Sequence, residues 1–402
     1  MALMSVAEAL ARVLAEAQPL PVERVTLAEA AGRVLAEDLA ALRTQSPADV
    51  SAMDGYAVRG ADVAAAPAPL KVIGEVAAGH PFEGEVKAGQ AARIFTGGVM
   101  PAGSDTVVIQ ELTARDGDRV TIQKPTTPGR NVRRQGIDFR QGQVLLRKGH
   151  RLSDRDVMLA AAMNHPTLPV HRQPKVAVLG TGDELVAPGS APKPGEIVYS
   201  NGFALIALAR NAGAEVNDLG IAQDKLDDIA AAVRRARALS ADVLVTSGGA
   251  SVGEHDLVQR ALRAEGLDLS FWRVALRPGR PMLHGRLGAM HVLGVPGNPV
   301  SAYVCAFLFL LPLLARLTGR ADAELTPETA RLGRDLPAND ERQDYLRATL
   351  AAGPDGLVAT PLPDQDSSLM APISAADCLL IREPFAPAAS SGSPCVILKL
   401  AL

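Results

Sequence analysis

Three loops in the second half of the chain gather hydroxyls, glycines and carboxylates at the ends of apolar runs. Gly180-Thr181-Gly182-Asp183-Glu184 follows Lys175 to Leu179. Thr246-Ser247-Gly248-Gly249-Ala250-Ser251-Val252-Gly253-Glu254-His255-Asp256 follows a second run, and Pro296-Gly297-Asn298-Pro299-Val300-Ser301 follows a third. Glycines let main-chain N–H groups close on an anion, and a helix N-terminus favours a phosphate or oxyanion. Taken singly, a Ser-Gly-Gly run is a loop and an Asp at a strand-to-helix turn is a cap. Three such loops together supply what metal-assisted phosphate chemistry requires, anion-friendly backbone beside carboxylates. Farther upstream, Ser51-Ala52-Met53-Asp54-Gly55-Tyr56-Ala57 sets an acid among residues suited to burial, so Asp54 must be paired or functional. Arg133-Arg134-Gln135-Gly136-Ile137-Asp138 mixes charges, and Arg277-Pro278-Gly279-Arg280 holds two cations apart across a rigid turn.

The elements that position these loops follow from periodicity. Ser5-Val6-Ala7-Glu8 is a capping box before a helix reaching Ala17, and Thr26-Leu27-Ala28-Glu29 repeats the pattern before Gly32. From Leu70 to Arg147, short apolar runs broken by Gly, Pro and Asp-Gly predict a β-rich domain. A helix near Ser153 to Met163 then leads into alternating elements: helix 202–211, helix 225–239, strand 242–246, helix 255–264, strand 291–295 and helix 300–317. That alternation is doubly wound α/β, and ligands bind at its strand ends. Beyond Gly319, the runs 346–350, 357–360, 378–382 and 395–400 predict a C-terminal β domain, with 384–394 as one hairpin loop.

Composition excludes several classes. A net charge of −3 and 3% aromatic residues oppose a nucleic-acid surface, which needs basic excess or stacking platforms. Cys305, Cys378 and Cys395 form no C-x-x-C pair, so a zinc ribbon, an iron–sulfur cluster and a disulfide framework are not expected and a reducing cytoplasm is. Val300 to Ala315 is apolar but contains Pro312 and falls short of the roughly 18 to 20 residues of a membrane span. It reads as a buried helix, with no membrane contact expected.

Ser51 to Ala57, Thr96-Gly97, Gly136-Ile137-Asp138, Thr181 to Leu185, Ser247 to Gly253, Pro278-Gly279 and Pro296 to Ser301, in this order, resemble the molybdopterin molybdenumtransferase family, the MoeA proteins, similar to the E domain of gephyrin. The resemblance implies four domains: a linking domain of 1–42 with 141–172, a β-rich domain of 54–140, an α/β domain of 43–53 with 173–320, and a C-terminal barrel-like β domain of 325–402. It implies a homodimer whose cleft joins the α/β domain of one subunit to the β-rich domain of the other. Adenylylated molybdopterin and molybdate would be the substrates, and AMP would be released with help from magnesium. Contact with the adenylyltransferase that makes the adenylylated pterin is a further expectation.

The family's catalytic set falls on Asp54, Thr96, Asp138, Glu184, Asp224 and Asp256, with the metal on Glu184, Asp224 and Asp256. Its anion contacts fall on Ser247, Gly248, Gly249, Ser251, Arg277, Arg280, Pro296, Gly297, Asn298, Pro299, Ser301, Arg347 and Ser367. The chain departs from the family's Lys-Pro-Gly-Lys at Arg277 to Arg280 and from its Gly-Ser at Asp366-Ser367. Guanidinium keeps the charge and changes the contact geometry. Two rivals share parts of the pattern: the adenylyltransferase, which has the α/β domain alone and would need ATP, and a receptor-clustering scaffold like gephyrin. The Asp54 segment and the full acidic set favour molybdenum insertion.

Overall fold

The computed structural model describes residues 3–248 and 257–400. Four domains follow one another with two excursions. The linking domain pairs Val22–Thr26 with Thr167–His171 and Leu39–Ala40 with Val144–Leu146. Its core is closed by Phe139, Leu152 and Met163 under the helix Asp154–Ala162, which Ser153 caps. The second capping box is real, since Thr26 donates its N–H to Glu29 Oε2 at 3.2 Å, but only a single turn follows, Leu27–Glu29. Gly32 N–H bonds to Leu152 O at 2.8 Å and Leu35 N–H to His150 O. Pairing with the distant segment wins over helix continuation.

The β-rich domain is one sheet of six strands whose two halves enclose Tyr56, Leu70, Val108 and Ile122 on one side and Ala57, Val76, Ile94 and Val107 on the other. Residues 43–53, expected in the α/β domain, pair here instead. Val50–Ser51 runs against Val132–Arg133, Ser51 N–H bonds to Gly98 O, and Gln45 N–H bonds to Phe139 O. Conversely, helix Val6–Ala15, expected in the linking domain, buries Val6, Ala9 and Val13 in the α/β core, where its apolar stripe meets the helix that ends at Leu317.

The α/β domain has a six-stranded sheet in which Lys175–Thr181, Val243–Ser247 and Met290–Val295 are parallel and adjacent, with Glu215–Ala222 beside the first. Leu283–Leu287 and Asp268–Trp272 extend it antiparallel. The three central parallel strands are buried on both faces, which explains their continuous apolar runs. Helix Pro299–Leu317 lies beneath the sheet, with a π turn at Ala306–Leu310. Its 19 residues are long and apolar enough to cross a membrane, but 89% of that stretch is buried within the protein. Burial, not length, identifies it as core.

The C-terminal domain is a closed five-stranded barrel of Glu328–Leu332, Gln343–Gly353, Gly356–Pro361, Cys378–Arg382 and Pro394–Lys399. Leu276–Arg277 pairs in parallel with Gln343–Asp344 and ties the barrel to the α/β domain. Residues 384–394 form the expected loop between antiparallel strands. Phe309 is fully buried, so Phe309→Ala should lower stability by about 3 to 5 kcal/mol. Urea denaturation followed by intrinsic fluorescence would check it, and an unchanged midpoint would contradict the central placement of this helix.

Candidate active site

The sheet's strand order reverses direction between Lys175–Thr181 and Val243–Ser247, because the chain winds outward from the first of these strands to Glu215–Ala222 and then crosses back. Ligands bind in α/β sheets at such a switch point, beyond the carboxyl ends of the strands. A cavity of about 410 Å³ opens there, lined among others by Thr181, Glu184, Ser247, Gly248, Gly297 and Asn298. All three loops singled out from the sequence therefore meet. Gly248 adopts φ +102°, and a Cβ there would stand 2.2 Å from Thr181 O, so only glycine allows the backbone to close against the neighbouring strand.

Side chains hold the loops in register. Asn201 Nδ2 donates to Ser247 Oγ at 2.9 Å and to Gly297 O at 2.7 Å, linking the second and third loops. Asn298 Nδ2 donates to Ser367 Oγ at 2.8 Å, and Val300 N–H to Ser367 O at 3.1 Å. Ser367 thus docks the barrel onto the turn that opens the long helix. Pro299 occupies the helix's first turn and Ser301 is buried within it. Arg347, expected as an anion ligand, is 1% exposed and lies under this loop, donating to Asp366 O at 3.0 Å. Its geometry positions the 364–367 segment.

Arg277 departs from expectation in the same way. Its guanidinium is spent on Asp340 Oδ2 at 2.8 Å, Asn339 Oδ1 at 2.9 Å and the buried Asp344, so it clamps the barrel to the sheet. Arg280 is exposed and carries no side-chain bond to a described residue, leaving it as the turn's available cation. Gly279 packs on Cys305, whose Sγ a Cβ would approach to 2.5 Å, which sets the turn directly on the buried helix.

The acids fall into two groups. Asp183, Glu184 and Asp224 lie together, with Asp224 N–H bonded to Asp183 Oδ1 at 3.0 Å. Burial, and then the charges of Asp183 and Glu184, push the Asp224 carboxyl above its usual range. Among the described residues there is no group of three side chains placed to hold a metal ion. Asp256, Gly249 and Ser251 lie outside the described residues.

Asp54 and Thr96 form the second group. Thr96 donates its N–H to Asp54 Oδ1 at 2.8 Å and its hydroxyl to the same oxygen at 2.7 Å. The acid is exposed rather than buried, so pairing with Thr96, and not a core, accounts for it. Asp138 stands exposed on a turn whose backbone bonds to Gln45 O. No hydrogen bond or ion pair between described residues joins residues 54–136 to the α/β domain. Sequence reasoning missed Tyr199 and Asn201, both of which line the cavity. The one available signal was Tyr199-Ser200-Asn201 ahead of a helix, and that pattern reads as a helix start.

Thr96 holds Asp54 below the usual carboxylate range, first through its backbone N–H and then through its hydroxyl. A lowered carboxyl pKa adds stability above the unfolded-state value that is lost as pH falls through the folded one. Thr96→Val, which removes only the hydroxyl, should move the Asp54 titration upward but recover just part of the shift. Carboxyl-carbon NMR would measure it, and an unmoved titration would contradict the pairing.

Comparison with known proteins accounts for nearly the whole chain. Residues 4–164 match the MoeA N-terminal region (domains I and II), 177–316 a probable molybdopterin binding domain, and 329–400 the MoeA C-terminal region (domain IV). The chain is 34% identical over 368 residues to the molybdopterin molybdenumtransferase of Haemophilus influenzae, covering 91% of this chain and 90% of that protein. It is 38% identical over 336 residues to that of Nostoc sp., covering 82% and 77%. The crystal structure of the molybdopterin biosynthesis MoeA protein from Pyrococcus horikoshii superposes with a TM-score of 0.84 at 31% identity over the full length of both chains. The chain belongs to the molybdopterin molybdenumtransferase family of molybdenum cofactor biosynthesis enzymes.

Proposed function

We propose that this enzyme takes adenylylated molybdopterin and molybdate, releases AMP and inserts the metal into the pterin dithiolene, working as a homodimer in the cytoplasm. One observation carries the reading: the cavity at the sheet's switch point is lined by Thr181, Ser247, Gly248 and Gly297 together with Glu184, which stands with Asp183 and Asp224. In this mechanism Ser247 and Gly297 bind phosphate oxygens through hydroxyl and backbone donors, Gly248 lets the loop close without a side chain, and Arg280 offers charge to molybdate. Glu184 and Asp224, with Asp256, would hold magnesium, which when bound neutralises charge on the departing phosphate. No protein nucleophile is required, because the sulfur ligands belong to the substrate. Burial pushes the Cys305 thiol up and that of Cys378 up to about 12, which suits both to packing rather than attack. The adenylyltransferase that forms the substrate is the natural donor partner.

If charge is what Glu184 and Asp256 supply, Glu184→Gln and Asp256→Asn should keep folding and pterin binding but abolish AMP release and molybdenum incorporation. Helix caps would tolerate the amides. Near-normal turnover by both variants, with matching thermal unfolding, would remove the metal-site reading.

The homodimer makes a sharper claim, because Asp54 and Glu184 share no contact within one chain. Asp54→Ala and Glu184→Gln should each be inactive alone. Mixed and allowed to exchange subunits, they should regain about a quarter of wild-type activity, since half the dimers are mixed and each carries one intact site. No recovery on confirmed exchange would place the whole site within a single subunit.

A further inference from the structure

Two residues that line the switch-point cavity carry buried hydroxyls with no partner among the described residues. They are Thr181 and Tyr199, 1% and 5% exposed, and among the described residues neither Thr181 Oγ1 nor Tyr199 Oη has a hydrogen-bond partner. A buried hydroxyl left unpaired destabilises the fold, and natural proteins rarely keep one without a use.

The surroundings show that the fold makes room for the phenol. A Cβ at Gly180 would stand 2.5 Å from the Tyr199 ring, and one at Gly202 would stand 1.9 Å from its hydroxyl. Any side chain at either position would displace the ring. Tyr199 Oη therefore rests against the first turn of helix Asn201–Asn211, whose N-cap residue, Ser200, makes no side-chain capping bond. The N–H groups of that first turn are uncapped donors with partial positive charge. Burial, followed by the charge of Asp218, pushes the phenol up to about 12, so it remains an O–H. In the lining of the same cavity, Ser247 Oγ accepts from Asn201, which leaves the serine's own proton to be given away. Donors thus converge here.

We propose that Tyr199 and Thr181 are substrate-contacting residues whose hydroxyls donate to an anionic phosphate oxygen held over the first turn of helix Asn201–Asn211. The proposal rests on the function put forward above and adds to it the residues that grip the phosphate. It also explains why the cavity retains unpaired hydroxyls where Phe and Val would pack as well.

Tyr199→Phe and Thr181→Val keep shape and remove only the hydroxyls. With magnesium present, Tyr199→Phe should weaken AMP binding about tenfold or more, the scale of a hydrogen bond to a charged group, and Thr181→Val should weaken it several-fold. Both melting temperatures should equal or exceed that of the wild-type protein, because an unpaired polar group has been removed. A merely structural hydroxyl would show the opposite, a lowered melting temperature with unchanged affinity. Wild-type affinity in both variants would overturn the proposal and leave the hydroxyls bonded to water. If Tyr199→Phe fails to fold, Thr181→Val decides alone. Inorganic phosphate separates the two levels: wild-type protein that neither binds nor releases AMP, yet binds phosphate with a loss in Tyr199→Phe, sinks the functional reading and keeps this one.

Discussion

Burial of helix Pro299–Leu317 is the interaction on which the other placements depend. One core holds Val6 and Val13 from the N-terminal helix, Val176 and Val295 from the sheet, Phe307 and Leu314 from the helix itself, and Leu379 and Leu398 from the barrel. Three otherwise separate units thus share one apolar interior. Once the helix is seated, its first residue brings Asn298 against Ser367, and Cys305 supports the Arg277-Pro278-Gly279-Arg280 turn. The hydrophobic effect is non-directional, but here it fixes the distance between the polar groups at the helix's end. The cavity's shape is therefore a product of the core.

Regular apolar runs made much of this fold legible. The strands Val243–Ser247 and Met290–Val295 and the long helix are buried on every side, so their sequences carry a strong signal. Glu215–Ala222 and Asp268–Trp272 escaped notice because they sit at the sheet's edges, where Asn217, Asp218 and Ser270 break the run. Residues 43–53 went astray for another reason: their partners lie at 97–100 and 131–139, and nothing local specifies pairing across such a distance. Among the site residues, the loops with glycine and hydroxyl groups were readable because those residue types serve few other purposes together. Arg277 and Arg347 were not, since a buried clamp and an anion ligand look alike until the carboxylates and carbonyls around them are located. Tyr199 stayed hidden because its importance lies in what surrounds its hydroxyl, not in its type.

Electrostatics divides the molecule as clearly as packing does. Asp183 and Glu184 crowd Asp224 and, with burial, push its carboxyl above the usual range, whereas Asp54 is satisfied by donors from Thr96. One group raises a carboxyl pKa and the other lowers one. Arg277 is neutralised by Asp340 and Asp344, so its charge joins domains and leaves Arg280 unspent. Similar side chains have been given different work by their neighbours.

The pairing of Val50–Ser51 with Val132–Arg133 has a bearing on how such an architecture can change over evolutionary time. The chain departs for the β-rich domain and returns from it along adjacent strands, so residues 52–131 form an excursion whose two ends coincide. Lengthening, shortening or resurfacing that excursion leaves the anchor points where they were. The α/β domain can then be preserved while the loops of the excursion adapt to whatever surface they must meet, with Asp54 and Thr96 kept together by their own hydrogen bonds.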